Sequence, residues 1–257
     1  MRFLKRKLKK TTSNEPRLKR VRPILGTYVE ITLTGTAPED QLNAWITAGF
    51  EAVEEIERLM SRYLPESDLA RLNQAEPGVW VTLDPHTVRV LKASNQLFRI
   101  SKGIFDIRCA AVPPSREPPV ELRGTAARKT GPWTFDLGGI AKGYAVDYAV
   151  EKIKRLSHGH RITGVVNAGG DLRRWGKGAP PVAVATSAVR TPDSSDRLTA
   201  APHVQMPQGK VLMEQKAVTV FSDRCLWSDA LTKVMLMASP SIAERCLVKY
   251  QAWAIPL

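Results

Sequence analysis

Two glycine-rich blocks carry the residues that are best placed to do chemistry. The first block, residues 136–147, reads D-L-G-G-I-A-K-G-Y-A-V-D, so the carboxylate of Asp136 precedes a glycine pair and the ammonium of Lys142 follows it. A glycine pair lets the backbone approach a ligand without a Cβ clash. A helix starting after the pair adds unpaired N–H groups and a positive dipole end, which suit an anion. The block therefore predicts a phosphate or pyrophosphate site. There, Asp136 accepts a hydrogen bond from a sugar or base, or helps to hold a cation.

The same block also fits a plain turn between a strand and a helix, in which the glycines serve packing alone. Leu137 and Ile140 stand where the motif G-x-G-x-x-G needs glycine, and Tyr144 stands where the P-loop needs lysine. A second block, N-A-G-G-D at residues 167–171, follows a stretch at 161–166 that is typical of a strand. Two glycine-pair loops within about 35 residues favour a ligand site over two packing turns.

Together the two blocks resemble the signature of the ApbE-type FAD:protein FMN transferases, from about residue 25 to about residue 238. The resemblance implies an α+β fold of antiparallel sheets with packed helices, related to the T-fold, in one compact domain over residues 23–257. It implies an enzyme that transfers the FMN moiety of FAD to a Ser/Thr hydroxyl of an acceptor protein, with Mg²⁺ bound and AMP released. The implied partner is an acceptor with an S/T-G-A-T-like motif, such as a subunit of a respiratory electron-transport complex.

The resemblance also assigns residues that contact FAD. Leu25 stands at the methionine of the family's M-G-T opening, which lies along the flavin. Tyr63 stands at the tyrosine of S-x-Y, which packs against the flavin nucleotide, and residues 101–106 match the S-x-G-x-F-D turn that touches FAD. The expected FAD-binding residues are Leu25, Tyr63, Ile104, Phe105, Asp106, Asp136, Lys142 and Gln205.

The metal-binding motif is one place where this chain departs from the family pattern. Asp229 matches the aspartate of A-D-A-L-A-T, but Lys233 stands four residues later at the position of the threonine ligand. The expected Mg²⁺ ligands are therefore Asp229, the carbonyl of Gly139 and Thr232, which lies one position earlier and about 100° around the helix. Lys233 either places an ammonium where the metal charge otherwise sits or points outward.

The histidine motif is the second departure. Residues 203–209 keep the histidine and the proline of the family's H-[IV]-[IV]-D-P-x-T-G block, but Met206 replaces its aspartate and the block is one residue short. His203 is the expected catalytic group, as the base or as the group that orients the acceptor hydroxyl. The altered histidine block and Lys233 leave an alternative open, in which the chain is a degenerate FAD-binding paralogue without transferase activity.

Positive charge is concentrated at the start of the chain. The 257 residues carry a net charge of +13, and residues 1–22 contribute ten Lys/Arg and one Glu to it. This stretch predicts a solvated, disordered tail, or a patch that makes weak contact with an anionic membrane. In a third hypothesis, the fold serves to bind an anionic surface and does not transfer FMN. No specific nucleic-acid partner is expected.

The sequence also bounds where the protein is expected to act. It shows no signal peptide, no lipobox cysteine and no apolar run long enough to span a membrane, so we expect it in the cytoplasm or at the membrane periphery. Its three cysteines are widely spaced and predict neither a zinc site nor a disulfide framework.

The elements that must position these residues follow from apolar periodicity. Helices are predicted at 46–63, 87–101, 143–156 and 229–238. Strands are predicted at 25–33, 133–135, 161–166 and 217–221. The strand at 133–135 and the helix at 143–156 would flank the first glycine block.

Overall fold

Antiparallel strands form the frame of the molecule in the computed structural model, which describes residues 15–109, 117–176, 182–189 and 216–257. The strands are β1 (Arg17–Ile24), β2 (Thr27–Gly35), β3 (Val81–Thr82), β4 (Val120–Arg123), β5 (Ala126–Lys129), β6 (Ile162–Ala168), β7 (Asp171–Trp175), β8 (Val182–Val189), β9 (Lys216–Ser222) and β10 (Trp253–Pro256). Seven strands pair in the order β1-β2-β6-β7-β8-β9-β10, and the others form a small sheet in the order β3-β5-β4. The strands predicted at 25–33, 161–166 and 217–221 are confirmed as β2, β6 and β9.

Helices cover one face of the seven-stranded sheet. They are α1 (Glu39–Met60), α2 (Asp68–Gln74), α3 (Pro85–Ile100), α4 (Ala141–Leu156), α5 (Cys225–Met237) and α6 (Pro240–Lys249). α1 packs on β1 and β2, α4 on β6 and β7, and α5 on β7, β8 and β9, while α4 also contacts both α1 and α5. The apolar core lies between this helix layer and the sheet. This arrangement confirms the predicted α+β fold, and no helix in the described ranges is long and apolar enough to cross a membrane.

All four predicted helices are present, but two of them begin several residues earlier in the chain than predicted. The helices predicted at 87–101 and 143–156 are α3 and α4. α1 begins already at Glu39, because its buried apolar stripe continues toward the N-terminus. α5 begins at Cys225, which is fully buried, so Asp229 lies in the second turn of α5 and not at its start.

Two other expectations are wrong. β1 pairs with β2 along its whole length, so the tail cannot be disordered as far as residue 22, and residues 1–14 lie outside the described residues. Basic side chains are common on an edge strand because they discourage pairing with another chain, and Lys19 forms an ion pair with Glu30 at 2.6 Å. The segment at 133–135 makes a single bridge between Arg108 and Phe135 and no strand.

Candidate functional site

The starts of α4 and α5 meet and cap each other. In the described part of the chain, neither helix receives a hydrogen bond from the side chain of its own N-cap residue. Instead, the backbone N–H of Gly143 in α4 donates to Asp229 Oδ2 of α5 at 3.0 Å. The N–H groups of Cys225 and Leu226 in α5 donate to the two carboxylate oxygens of Asp147 of α4, each at 3.0 Å. Each helix thus supplies the carboxylate that the N-terminus of the other requires.

Gly143 is what allows the two helix starts to come this close. A Cβ added at Gly143 would lie 2.2 Å from the carbonyl oxygen of Cys225 and 2.8 Å from Cβ of Asp229. Real side chains do not tolerate such distances, so any other residue here would push α5 away from α4. The third glycine of the first block therefore serves the packing of the site.

Four charged side chains meet beside these helix starts, and we call them the charge quartet: Lys142, Asp171, Asp229 and Lys233. Lys142 Nζ lies 2.8 Å from Asp171 Oδ2 and 3.9 Å from Asp229 Oδ1. The ammonium of Lys233 forms an ion pair with Asp229 Oδ1 and donates to the carbonyl oxygen of Asp229 at 3.0 Å. Asp171 is the last residue of the second glycine block and the first residue of β7, so both glycine blocks contribute to one site.

Burial and mutual charge set the protonation of the two acids. Burial first, and the charge of Asp229 second, raise the pKa of Asp171 to about 6, against the opposing charges of Lys142 and Lys233. Burial also acts to raise the pKa of Asp229, but the two lysines outweigh it and hold that pKa below its usual range. Asp229 in turn raises the pKa of Lys142 above its usual range, against the effect of burial. The quartet therefore keeps the Lys142 ammonium and the Asp229 carboxylate ionised at neutral pH.

The three residues predicted to bind Mg²⁺ lie near each other, but their oxygens are not all available. Thr232 Oγ1 donates to the carbonyl of Asp229 at 2.7 Å and shares a hydrogen bond of 2.8 Å with Ser187 Oγ of β8. A Cβ on Gly139 would lie 3.6 Å from Cε of Lys233, so the lysine stem runs past the glycine loop. Lys233 therefore lies where Gly139 and Asp229 face each other.

This donor set does not fit a divalent cation. Mg²⁺ demands a near-octahedral shell of oxygen ligands. One carboxylate oxygen of Asp229 is paired with Lys233, and the other accepts the N–H of Gly143. Among the described residues, no group of three or more His, Cys, Asp or Glu side chains is arranged to hold a metal. The quartet neutralises its carboxylates with ammonium groups.

Asp136 lies apart from the quartet, on a more open surface. Its Oδ1 accepts the N–H of Gly138 at 2.8 Å, and its Oδ2 lies 3.5 Å from a guanidinium nitrogen of Arg62. Arg62 also donates to the hydroxyl of Tyr63 at 2.7 Å, and Tyr63 is 79% exposed. A cavity of about 280 Å³ opens beside Arg62 and is also lined by Asn73. An exposed ring next to a carboxylate and a guanidinium suits a planar ligand that carries hydroxyl groups.

The remaining predicted FAD contacts lie near the glycine loop or in the turn between β1 and β2. Phe105 is buried, with its ring 3.7 Å from where a Cβ of Gly139 would stand, and Ile104 is half-buried. Asp106 is engaged by Arg108, whose Nε donates to it at 2.8 Å. Leu25 lies in the turn between β1 and β2 with a positive φ of 60°, and its N–H donates to a carboxylate in α1.

Two of the predicted site residues, His203 and Gln205, lie outside the described residues.

Sequence reasoning also missed several residues that the structure places in this region. Asp171 belongs to the second glycine block but was not assigned a role, although it lies next to a glycine pair on its C-terminal side, as Asp136 lies close to one on its N-terminal side. Arg62 is the middle residue of S-x-Y, and nothing in its spacing distinguishes it from a surface arginine. Asp147 was visible only as part of a helix.

Comparisons with known proteins agree with this architecture. The model of the ApbE family matches residues 25–114 and 115–212. The flavinyl transferase ApbE of Pseudomonas stutzeri, in its apo form, superposes with a TM-score of 0.72 at 20% identity, covering 94% of this chain and 92% of that chain. The flavin transferase ApbE of Vibrio cholerae has a TM-score of 0.76 at 19% identity, covering 94% and 93%. The ApbE protein of Thermotoga maritima has a TM-score of 0.76 at 20% identity, covering 94% of each chain. No curated protein sequence matches the chain significantly.

Proposed function

Because the chain belongs to the ApbE family, we propose that it transfers the FMN moiety of FAD to a Ser/Thr hydroxyl of an acceptor protein and releases AMP. The similar proteins from Pseudomonas stutzeri and Vibrio cholerae are flavin transferases. The observation that carries the proposal is the charge quartet, in which two ammonium groups meet two helix starts beside the glycine loops. Positive charge and helix starts of this kind suit the pyrophosphate of FAD.

The reaction is a substitution at phosphorus. The acceptor hydroxyl oxygen forms a bond to the phosphorus of the FMN half, and the bond from that phosphorus to the bridging oxygen breaks. AMP leaves with the bridging oxygen, and the hydroxyl proton passes to a base, for which His203 is our candidate. Such chemistry depends mostly on positioning and on neutralising phosphate charge. Lys142, whose side chain is 30% exposed, is the quartet member most open to a phosphate.

The rest of FAD has candidate contacts on both sides of the glycine loop. Asp136 and the exposed ring of Tyr63 lie on the open side and suit a sugar hydroxyl and a planar ring. Ile104 and Phe105 lie closer to Gly139, and Leu25 lies in the turn between β1 and β2. Asp106 is paired with Arg108, so we expect its contribution to be the shape of the loop.

The acceptor that we propose is a protein with an S/T-G-A-T-like motif, such as a subunit of a respiratory electron-transport complex. Weak contact of the basic N-terminal segment with an anionic membrane would bring the enzyme close to such a partner. Mg²⁺ dependence, which the family resemblance implies, is the part of the expectation that the donors of the quartet do not favour.

Mass spectrometry of an acceptor peptide tests the proposal. The protein is incubated with FAD and a peptide that carries the S/T-G-A-T-like motif, and the expected result is a mass gain equal to one FMN group. A peptide with alanine at the acceptor position is the matched control and should gain nothing. Binding of FAD without any mass gain on several acceptor peptides would favour the degenerate paralogue instead.

A further inference from the structure

Lys233 has a defined place in the charge quartet. It follows Asp229 by one helical turn, so the two side chains project from the same face of α5. Its ammonium contacts both the carboxylate and the carbonyl oxygen of Asp229, and its side chain is 11% exposed. Its stem runs beside Gly139, whose added Cβ would lie 3.6 Å from Lys233 Cε. The lysine therefore points into the site and not to solvent.

An inward lysine next to a buried carboxylate changes what else that carboxylate can bind. Burying an isolated charge is unfavourable, so Asp229 needs a cation, and here Lys233 and Lys142 both supply one. A divalent cation on Asp229 would have to displace the Lys233 ammonium and leave it buried beside a second positive charge. Thr232 offers little compensation, because its hydroxyl is already bonded to Asp229 and Ser187.

We propose that the Lys233 ammonium is the resident cation of this site, so that this chain binds FAD and transfers FMN without a divalent metal. The statement about FAD rests on the proposed function, whereas the statement about the metal concerns the residues of the quartet alone. Two measurements separate these two statements.

The first measurement uses Mn²⁺ alone, followed by the EPR signal of the free ion. The wild-type protein should leave that signal unchanged, whereas Lys233→Thr should reduce it, since the substitution removes a positive charge and adds an oxygen donor. A double variant with Lys233→Thr and Asp229→Asn should again leave the signal unchanged, which places the ion at this carboxylate. Wild-type binding of Mn²⁺ that is lost on Asp229→Asn would overturn the proposal without any reference to FAD.

The second measurement is FAD affinity, from flavin fluorescence, in EDTA and in Mg²⁺. Wild-type affinity should be the same in both buffers. Lys233→Thr should bind FAD about ten- to hundredfold more weakly in EDTA and regain affinity in Mg²⁺. Lys233→Met, which lacks both charge and oxygen, should lose affinity without regaining it. Lys92→Thr, at an exposed position of α3, is the control and should match wild type.

The outcomes of the second measurement are distinguishable. Wild-type FAD binding that requires Mg²⁺ would overturn the role of Lys233 and leave the proposed function standing. Wild-type protein that binds no FAD in either buffer would overturn the proposed function together with metal-free FAD binding, while the Mn²⁺ titration still decides the identity of the resident cation. Thermal unfolding of each variant shows whether it is folded, and the two wild-type arms decide the matter should Lys233→Thr fail to fold.

Discussion

Two buried carboxylates, Asp147 and Asp229, occupy matching places and have different partners. Each is fully buried in one helix and accepts backbone N–H groups from the start of the other. Asp147 is paired with two arginines, Arg173 at 2.8 Å and Arg224 at 3.5 Å. Asp229 is paired with the two lysines of the charge quartet.

The type of cation distinguishes the two carboxylates. Asp147 with its arginines forms a structural contact between α4 and α5, which we call the structural joint, whereas Asp229 with its lysines belongs to the candidate ligand site. A guanidinium is planar and always charged, and its donors are fixed in a fork, so it holds a carboxylate rigidly. An ammonium is a point charge on a flexible stem, and it can turn toward a ligand. Burial raises the pKa of Asp147 despite its arginines, whereas the lysines hold the pKa of Asp229 low. We therefore expect Asp147 to govern stability and the quartet to govern ligand binding.

The largest effect should come from breaking the structural joint. Asp147→Ala removes both N–H acceptors of α5 and takes from the largely buried Arg173 its close carboxylate partner, which should lower the free energy of unfolding by about 3–5 kcal/mol. Urea unfolding measures the loss. Asp147→Asn keeps an oxygen acceptor and should lose less. A loss below about 1 kcal/mol for Asp147→Ala would mean that α5 is not held by this cap.

A matched pair of variants, one in a lysine and one in an arginine, tests directly whether the quartet governs ligand binding and the structural joint governs stability. Lys142→Met should weaken FAD binding about ten- to hundredfold, which corresponds to roughly 1.5–3 kcal/mol, because a charged contact to phosphate is lost. Arg173→Met should lower stability but leave the FAD affinity of the folded protein unchanged. Isothermal titration and urea unfolding of both variants give the comparison. Equal losses of FAD affinity in the two variants would contradict the distinction.

The close approach of the two helices can be tested through glycine. Gly143→Ala places a Cβ against the carbonyl of Cys225 and should lower the free energy of unfolding by about 1–3 kcal/mol. Gly138→Ala is the control, since its added Cβ would meet only the side chain of Asp136, with Oδ1 at 3.1 Å and Cγ at 3.8 Å. Similar stabilities of the two variants would show that α5 moves away from α4 without cost.

The smallest expected effect is a pH dependence that belongs to Asp171. Its pKa in the folded protein, about 6, lies above the ordinary value, so the folded state holds this proton more tightly than the unfolded state. Wild type should therefore lose up to about 2 kcal/mol relative to Asp171→Asn as the pH rises from about 4 to about 6. Unfolding at a series of pH values measures this difference. A gain for wild type over that range would mean that Lys142 outweighs burial.

The sequence predicted the parts of the site that depend on local signals. The glycine pair, Asp136 and Lys142 stand close together in the chain, and the helix that follows has clear apolar periodicity. The direction of Lys233 stayed open, because a spacing of four residues from Asp229 fits an exposed pair as well as a buried one. Only the packing of α5 against α4 decides between them.

Other features depended on contacts between distant segments. β1 was interpreted as part of a tail because exposed basic residues on an edge strand look like a solvated terminus; its pairing with β2 was not foreseen. The role of Asp147 could not be found locally either, because its partners Cys225 and Leu226 are almost 80 residues away, at separations of 78 and 79.

Mutual capping ties the folding of α4 to that of α5. The hydrogen bond between Gly143 and Asp229 spans 86 residues, so neither helix start is complete until a long loop has closed. Once the loop has closed, we expect the two first turns to open together, and the charge quartet to open with them. We therefore expect the amides of Gly143, Cys225 and Leu226 to exchange as one cooperative unit, at rates close to that of global unfolding. Two helices that are far apart in the sequence are thus expected to fold and unfold as one element.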